Sequence, residues 1–310
     1  MITIHARHKR RAQALLAAAV ALLTTLAGVH VAAGAPRTAR RPARASSNGV
    51  PLPADPTRIV SLSGSSTQDL FADGAGRQVV AVDEYSTYPK NAPRTKLSGF
   101  DPNVEAIAKY KPDLVVISDN VDNLEQHLAA LHIAVLVEPA PPTFNGIYPQ
   151  LLALGQATGH AAQAAAAVTG MKREVASLVA SVKQEKPPLT VYDELDQTYY
   201  SVSSETFIGQ VFKLLGLKNI ADAAAKGTTY PQLSSEYIVA SNPDLIVLSD
   251  TLCCGQSYKT VAARPGWSTI AAVKNHDVLT VNDTIASQWG PLFVDFFKQV
   301  AGAVRKIEHR

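Results

Sequence analysis

Two glutamates, Glu105 and Glu236, occupy matching positions in a repeated segment of the chain. The two copies, NVEAIAKYKPDLVVISDN at 103–120 and SSEYIVASNPDLIVLSDT at 234–251, are identical at eight of 18 aligned positions. Each glutamate falls in the first turn of a predicted helix, where the helix dipole stabilises a carboxylate by about 0.3–1 kcal/mol. That local effect is enough to explain a glutamate in one copy, but it does not explain why both copies have it. A matched pair of surface charges also suits docking onto a symmetric partner that carries arginines.

A second set of candidate residues follows the predicted strands. Ligands of open parallel sheets bind outside the carboxyl ends of the strands. That rule selects six loops rich in hydroxyl, amide and aromatic side chains, the composition of a small-molecule cleft. A single loop of this composition is more often an ordinary solvated loop. Because six such loops are predicted at strand ends of the two lobes, we expect the set to line one binding cleft. The six loops are Ser61–Ser66, Asp83–Tyr85, Ser118–Asn123, Asp193–Tyr200, Ser249–Cys254 and Asp283–Trp289.

The elements that position these loops follow a strand–helix alternation. Uninterrupted apolar runs such as LVVI at 114–117 are typical of parallel strands that are covered on both faces. From Ala161 to Lys186 a helical pattern with one apolar stripe continues past Gly170. The sequence therefore predicts an α/β protein of two similar lobes, with mainly parallel sheets flanked by helices and bridged by one long α-helix. The predicted parts are an N-terminal lobe at 57–158, a linking helix at 159–187 and a C-terminal lobe at 188–310.

The N-terminal segment has the pattern of an export signal. Basic residues at 7–11 precede an apolar run at 12–27, and Ala33-Gly34-Ala35 suits a signal peptidase. We predict a signal peptide at 1–35 and a disordered tether, rich in Pro, Arg, Ala and Ser, at 36–56. Since no cysteine lies near the cleavage site, the expected location is the periplasm or cell envelope without a lipid anchor. Beyond residue 44 the chain has 21 bases and 26 acids, which gives no electrostatic case for nucleic acid.

Catalytic and metal-binding signatures are absent from the sequence. It has no Gly-x-Ser-x-Gly elbow, no phosphate loop and no His-Glu-x-x-His. The only cysteines, Cys253 and Cys254, are adjacent and lack the partners of a zinc site. They either form a strained ring with each other or stay reduced. The expectation is a protein with no catalytic residues, no bound metal and no cofactor. The alternative is a hydrolase that uses Ser63 or Cys254 as its nucleophile.

Several segments in order resemble the periplasmic-binding-protein family that serves ABC importers of iron-siderophores, haem and cobalamin. They include RIVSLSGSSTQDLFADGAG, SGFDPNVEAIAKYKPDLVVIS, LSSEYIVASNPDLIVLS and SQWGPLFVD. The resemblance implies two lobes joined by one long helix, with a small-molecule metal chelate held between them. It also implies that Glu105 and Glu236 contact arginines of an ABC permease dimer. We expect a monomer that binds an iron-siderophore, haem or corrinoid and leaves it unchanged.

The resemblance adds aromatic pocket residues to those that the loops supply. It places Tyr85, Phe100, Tyr230 and Trp289 in the ligand site. The loop positions add Ser63, Tyr200 and Cys254 as ligand-binding candidates. The sequence departs from the family where members that bind anionic siderophores often carry an arginine, because Gln288-Trp289 stands there. That departure weakens the case for a strongly anionic ligand.

Overall fold

The structure, a computed structural model, describes residues 46–183 and 185–310. The predicted signal peptide at 1–35 lies outside these residues. The N-terminal lobe contains a sheet of four parallel strands in the order β2-β1-β3-β4. Its strand residues are almost all buried, which explains the uninterrupted apolar runs. The strands are β1 (Ile59–Leu62), β2 (Val79–Val82), β3 (Leu114–Ile117) and β4 (Ala134–Val137), and the helices are α1 (Gly64–Ala72), α2 (Val104–Ala108), α3 (Leu124–Ala130) and α4 (Ile147–Ala157).

The predicted linking helix is present but shorter than expected. Helix α5 (Ala161–Ala180) begins where predicted and ends six residues before Lys186. At that end the Ser181 hydroxyl donates a hydrogen bond to the carbonyl of Leu178 at 2.6 Å, a bond that competes with continued helix. The amide of Lys183 then donates to the carboxylate of Glu308 at 2.7 Å, so the chain is bound to the C-terminal lobe before the next strand begins.

The C-terminal lobe repeats the plan of the first. Its sheet is also parallel throughout and has the corresponding order, β6-β5-β7-β8. The prediction of two similar α/β lobes with parallel sheets is therefore confirmed. The strands are β5 (Thr190–Glu194), β6 (Lys218–Asn219), β7 (Leu245–Leu248) and β8 (Val278–Thr280), and the helices are α6 (Gly209–Leu214), α7 (Ser235–Ser241), α8 (Tyr258–Ala262), α9 (Ala271–Lys274), α10 (Asp283–Ser287) and α11 (Phe293–Glu308).

The aspartate shared by the two sequence repeats has a structural role. Asp113 accepts hydrogen bonds from the amide and hydroxyl of Thr57 at 2.8 and 2.9 Å. In the second lobe Asp244 accepts the same pair of bonds from Thr190, both at 2.8 Å. Each aspartate thereby ties the start of a lobe's first strand to the start of its third. This need for a carboxylate explains why the Pro-Asp pair occurs twice.

Helix α4 contributes to the cores of both lobes. Its first turns pack Ile147, Tyr148 and Leu151 into the apolar core of the C-terminal lobe. Its last turn packs Leu154 and Ala157 against the strands of the N-terminal lobe. The lobes are therefore joined through continuous buried apolar surface as well as through α5.

The predicted disordered tether is wrong for residues 46–56. The amide of Ser47 donates to the carbonyl of Val135 at 2.9 Å, and the side-chain amide of Asn48 donates to the carbonyl of Ile133 at 2.9 Å. These bonds pair the segment with β4, an edge strand whose backbone groups would otherwise be open. Leu52 then enters the core of the lobe. The rest of the predicted tether, 36–45, lies outside the described residues.

Across residues 46–183 and 185–310, no helix is both long and apolar enough to cross a bilayer.

The first testable prediction concerns Gly290, where the two lobes meet. A Cβ at this position would lie 2.6 to 3.0 Å from Gln68, a buried side chain of α1. We expect Gly290→Ala to lower the free energy of unfolding by about 1–3 kcal/mol, as overpacking does. The control is Gly170→Ala in α5, which meets nothing within 4 Å and should stabilise by up to about 1 kcal/mol. Chemical denaturation measures both, and equal stability of the two variants would contradict the prediction.

Candidate ligand-binding cleft

A cavity of about 390 Å³ lies between the two lobes, at the carboxyl ends of their strands. Four of the six loops selected from the sequence contribute to it, and one of these, Ser118–Asn123, contributes Ser118 alone. The remaining two, Asp193–Tyr200 and Ser249–Cys254, do not. The lining residues are Leu62, Ser63, Gly64, Ser65, Asp83, Glu84, Tyr85, Thr87, Gly99, Phe100 and Ser118 from the N-terminal lobe, and Asp283, Thr284, Ser287, Gln288 and Trp289 from the C-terminal lobe.

The structure brings together four of the seven ligand-binding candidates, Ser63, Tyr85, Phe100 and Trp289. It places the other three, Tyr200, Tyr230 and Cys254, outside this cavity. The loop after β5 folds back on its own lobe, because the amide of Leu195 donates to the carbonyl of Tyr200 at 2.9 Å. Tyr230 lies on the neighbouring segment, whose Pro231 carbonyl accepts from the amide of Ser201.

A buried hydroxyl network holds the loop that carries Tyr85. The hydroxyl of Ser86 donates to the Asp83 carboxylate at 2.6 Å and lies 2.9 Å from the hydroxyl of Thr67 on α1. Thr67 in turn donates to Ser61 at the end of β1, at 2.8 Å. Since every residue of this hydrogen-bond network is buried, the loop is fixed to the sheet. Tyr85 therefore extends from a rigid base.

Phe100 is positioned by a glycine that precedes it. A Cβ on Gly99 would lie 2.2 Å from the carbonyl oxygen of Leu62, so only glycine permits this approach to β1. The rings of Tyr85 and Phe100 then meet edge to face, with centroids 5.0 Å apart. The pair forms an aromatic wall on the N-terminal lobe, and both rings remain exposed.

The opposite wall is formed by the segment at 287–292. The amide of Trp289 donates to the hydroxyl of Ser65 at 3.0 Å, and the amide of Leu292 donates to Gln68 at 3.1 Å. The Trp289 ring also meets Phe207 edge to face, with centroids 6.4 Å apart. This segment therefore belongs to the C-terminal lobe but is bonded to α1 of the other lobe.

The charges that line the cavity are all negative. Asp83, Glu84 and Asp283 are acidic, and no Lys, Arg or His is among the lining residues of the described chain. Burial raises the pKa of Asp83, against the lowering effect of the bond from Ser86. A cavity with carboxylates and no base disfavours an anionic ligand, because no cation is present to offset the repulsion.

Comparison with known proteins gives the family. The sequence profile of the periplasmic binding protein family matches residues 59–284. The ABC transporter substrate-binding lipoprotein YvrC of Bacillus subtilis is 31% identical over 270 residues, covering 84% of this chain and 83% of YvrC. A cobalamin-binding protein of Halobacterium salinarum is also 31% identical, covering 84% of this chain and 72% of its own length.

The chain belongs to the periplasmic binding protein family. A solved member from Staphylococcus epidermidis superposes with a TM-score of 0.69 at 25% identity, over 81% of this chain and 99% of its own. The recognition of this family from sequence segments is thus confirmed, and the relatives named here are binding proteins.

The same comparison corrects the expected location of this periplasmic binding protein. The absence of a cysteine near the predicted cleavage site led to the prediction of a protein without a lipid anchor. YvrC, matched over most of both chains, is a lipoprotein. That finding contradicts the prediction, which is therefore withdrawn.

The duplicated glutamates of this binding protein have equivalent settings. Each is exposed and is the second residue of its helix, Glu105 in α2 and Glu236 in α7. The side chain of Asn103 caps α2, and the hydroxyl of Ser234 caps α7. A bond from its own amide, followed by one from Ser234, lowers the pKa of Glu236. Both helices lead into the third strand of a lobe, so the two charges occupy corresponding surface positions.

Two aspartates of the candidate loops in the C-terminal lobe are buried, which the sequence did not predict. Asp193 is the fourth residue of β5 and Asp250 is the second residue after β7, the neighbouring strand, and both are fully buried. Asp193 accepts a bond from the hydroxyl of Ser249 at 2.9 Å, while within the described structure neither carboxyl oxygen of Asp250 has a partner. The corresponding residue of the first repeat, Asp119, is exposed. The repeat therefore gave no signal that one copy of this aspartate would be buried.

Burial dominates the ionisation of these two carboxyls. It raises the pKa of Asp193 to about 7 and that of Asp250 to about 7, with the neighbouring carboxylates adding to both shifts. The nearby Glu194 is paired with Arg264, whose two terminal nitrogens each lie 2.6 Å from a carboxylate oxygen. Among the described residues, no group of three or more His, Cys, Asp or Glu side chains is arranged to hold a metal ion.

The second prediction is a loss of stability as pH rises. The pKa values of Asp193 and Asp250 are about 7 in the folded protein and about 3.9 in the unfolded chain. Between these values the folded state binds more protons than the unfolded state, so the free energy of unfolding falls as pH increases through this window. Asp250→Asn, which cannot ionise, should flatten the decline. The control is Asp101→Asn at an exposed position, and a decline that Asp250→Asn leaves unchanged would contradict the assignment.

Proposed function

We propose that this protein captures a corrinoid between its lobes and delivers it, chemically unchanged, to the permease of an ABC importer. The observation that carries the proposal is the cavity itself. Its lining combines the exposed aromatic wall with three carboxylates and includes no Lys, Arg or His. Charge and shape of the cavity favour a corrinoid over the other two ligand classes that the family resemblance allows.

Charge disfavours haem and anionic siderophores. Haem carries two propionates, and many siderophores carry carboxylates or catecholates, all of which require a basic partner when buried. Asp83, Glu84 and Asp283 would repel such groups. The corrin ring of cyanocobalamin is rimmed by neutral amides and the molecule has no net charge, its single phosphodiester being offset by the cobalt cation, so it meets less repulsion of this kind.

Shape and hydrogen bonding also favour a flat macrocycle with amide groups. The aromatic wall offers exposed ring surface, with Tyr85 half exposed and Phe100 72% exposed. Hydroxyl groups of Ser63, Thr284 and Ser287 and the Gln288 amide lie among the lining side chains. Neutral donors and acceptors of this kind can bond to amides while the rings pack against the macrocycle. The relationship to the cobalamin-binding protein of Halobacterium salinarum supports the same ligand class.

Binding without turnover is favoured over the hydrolase alternative. The hydroxyl of Ser63 accepts a hydrogen bond from the amide of Ser66 as the N-terminal cap of α1, and no histidine stands beside it among the lining residues. Cys254 is bonded to Cys253 in a disulfide and so has no thiol with which to attack. Ser63 therefore lacks a histidine base in the cavity, and Cys254 lacks the free thiol, that covalent catalysis would require.

Docking to the permease is assigned to the two glutamates. Glu105 and Glu236 are exposed, lie at corresponding positions of the two lobes and are absent from the lining of the cavity. A pair of carboxylates related in this way matches a partner with two equivalent basic sites, as a permease dimer would provide.

The third prediction tests the ligand class. Cyanocobalamin and haemin are titrated into the purified protein, and the bound ligand is recovered and identified. Cyanocobalamin should bind more tightly, should be recovered intact, and should show an affinity that changes little with added salt because no ion pair holds it. Tighter binding of haemin, with a steep dependence on salt, would contradict the proposal. Conversion of cyanocobalamin to a product would favour the alternative that the protein is a hydrolase.

The fourth prediction concerns Trp289. Burying about 100 Å² of its ring against the ligand contributes about 2.5 kcal/mol, or about 60-fold in affinity. We expect Trp289→Ala to weaken cyanocobalamin binding by one to two orders of magnitude and to reduce ligand-induced quenching of tryptophan fluorescence. The control is Trp289→Phe, which keeps an aromatic surface and should retain most of the affinity. An alanine variant that binds as tightly as the wild type would show that the ligand lies elsewhere.

The fifth prediction separates docking from ligand binding. Glu105→Ala combined with Glu236→Ala should leave the affinity for cyanocobalamin unchanged and abolish uptake by the reconstituted importer. Glu185→Ala, which removes an exposed glutamate outside both repeats, serves as the control and should transport normally. Normal uptake by the double variant would refute the docking role, whatever the ligand proves to be.

A further inference from the structure

The two cysteines form a disulfide between neighbouring residues, Cys253 and Cys254. They are the only cysteines in the sequence. A disulfide between adjacent residues closes a ring of eight atoms that includes the peptide bond, so it restrains the backbone of its own loop rather than joining distant parts of the fold. Its effect must therefore be sought in what that loop contacts.

The loop Thr251–Gly255 is bonded to one carboxylate, that of Asp283. This carboxylate accepts from the amide of Cys253 at 2.7 Å and from the amide of Leu252 at 2.9 Å. It also lies 3.1 Å from the hydroxyl of Thr251, whose shorter bond, at 2.7 Å, goes to the carbonyl of Val281. Both amide donors belong to the backbone of the loop, and their direction depends on the conformation that the ring imposes. Bonds from amides to an ionised carboxylate are among the stronger hydrogen bonds in proteins.

Asp283 connects the loop to the wall of the cleft. It is the first residue of α10, which contributes Thr284 and Ser287 to the cavity and leads directly into Trp289. The other end of the loop is anchored in the lobe, because Gln256 donates to the carbonyl of Cys254 at 3.3 Å and accepts from Arg264 at 2.9 Å. The disulfide loop thus holds the start of the helix that forms one side of the ligand site.

We propose that the Cys253–Cys254 disulfide is a redox-sensitive latch that sets the affinity of the cleft through Asp283. The reductant is a dithiol of small-molecule or protein origin. Its thiolate attacks one cysteine sulfur, the bond between the two cysteines breaks, and a mixed disulfide forms. The second thiol of the reductant then closes the reductant's own disulfide, and two electrons and two protons end on the two cysteine thiols. Cys253 is exposed, so the attack requires no unfolding.

Opening the ring frees the loop and weakens its amide bonds to Asp283. Helix α10 then loses part of its support, and the wall that carries Trp289 is no longer held in the conformation that fits the ligand. We expect the affinity for ligand to fall about tenfold, which corresponds to about 1.4 kcal/mol. This expectation of weaker binding rests on the proposed function, whereas the loosening of α10 does not.

The experiment compares oxidised protein with protein reduced by dithiothreitol and desalted without oxygen. Cyanocobalamin is titrated into both, and hydrogen exchange is followed in peptides that cover 251–256 and 283–289. Reduction should weaken binding about tenfold and accelerate exchange in both peptides. The matched control is the variant with Cys253→Ser and Cys254→Ser, which should behave as the reduced protein and should not respond to dithiothreitol.

The outcomes distinguish this proposal from the proposed function. Equal affinity and equal exchange in the two redox forms would overturn the latch, as would free thiols in protein purified without reductant. If neither form binds cyanocobalamin, the ligand assignment is wrong. In that case the hydrogen-exchange data test the latch by themselves. Faster exchange on reduction supports the latch, and unchanged exchange overturns it.

Discussion

The constraint on which the structure depends is the burial of α4 in two cores at once. Its first half packs with the aromatic residues of the C-terminal lobe, and its second half packs against the sheet of the N-terminal lobe. Separating or rotating the lobes would expose this apolar surface, at about 25 cal/mol for each Å². Helix α5 runs alongside α4, and the side chain of Gln68, in the middle of α1, accepts a hydrogen bond from the amide of Leu292. The width of the cleft is therefore set by packing.

A ligand that entered a cleft of fixed width would meet walls that are already in place. The aromatic wall rests on a buried hydroxyl network, and Trp289 is held by a bond to Ser65. Preformed side chains lose little conformational entropy when a ligand enters, which favours affinity without lobe closure. In the proposed function, selectivity comes from the chemistry of the lining, where acidic residues repel anionic ligands and neutral groups form hydrogen bonds to amides. The disulfide loop is bonded to this same wall through Asp283.

The sequence predicted those features that a local pattern determines. Apolar runs predicted the buried parallel strands, and the repeat predicted two lobes with equivalent Glu105 and Glu236. The rule for strand ends selected the candidate loops, but it could not predict which of them turn toward the cleft. One loop turns away because of the backbone hydrogen bond between Leu195 and Tyr200, and amino-acid composition does not predict such a bond. Burial of Asp250 was likewise unpredictable, because Asp119 at the same repeat position is exposed. Such differences arise from tertiary packing, which periodicity does not encode.

The measurement that tests the central claim most directly is a crystal structure of the protein with and without cyanocobalamin. The account predicts that the corrin ring lies between Trp289 and the aromatic wall formed by Tyr85 and Phe100, that no basic side chain contacts it, and that the two lobes superpose between the free and loaded forms as one body. A ligand bound at another site, or a loaded form in which the lobes have rotated and α4 has left one of its two cores, would contradict it.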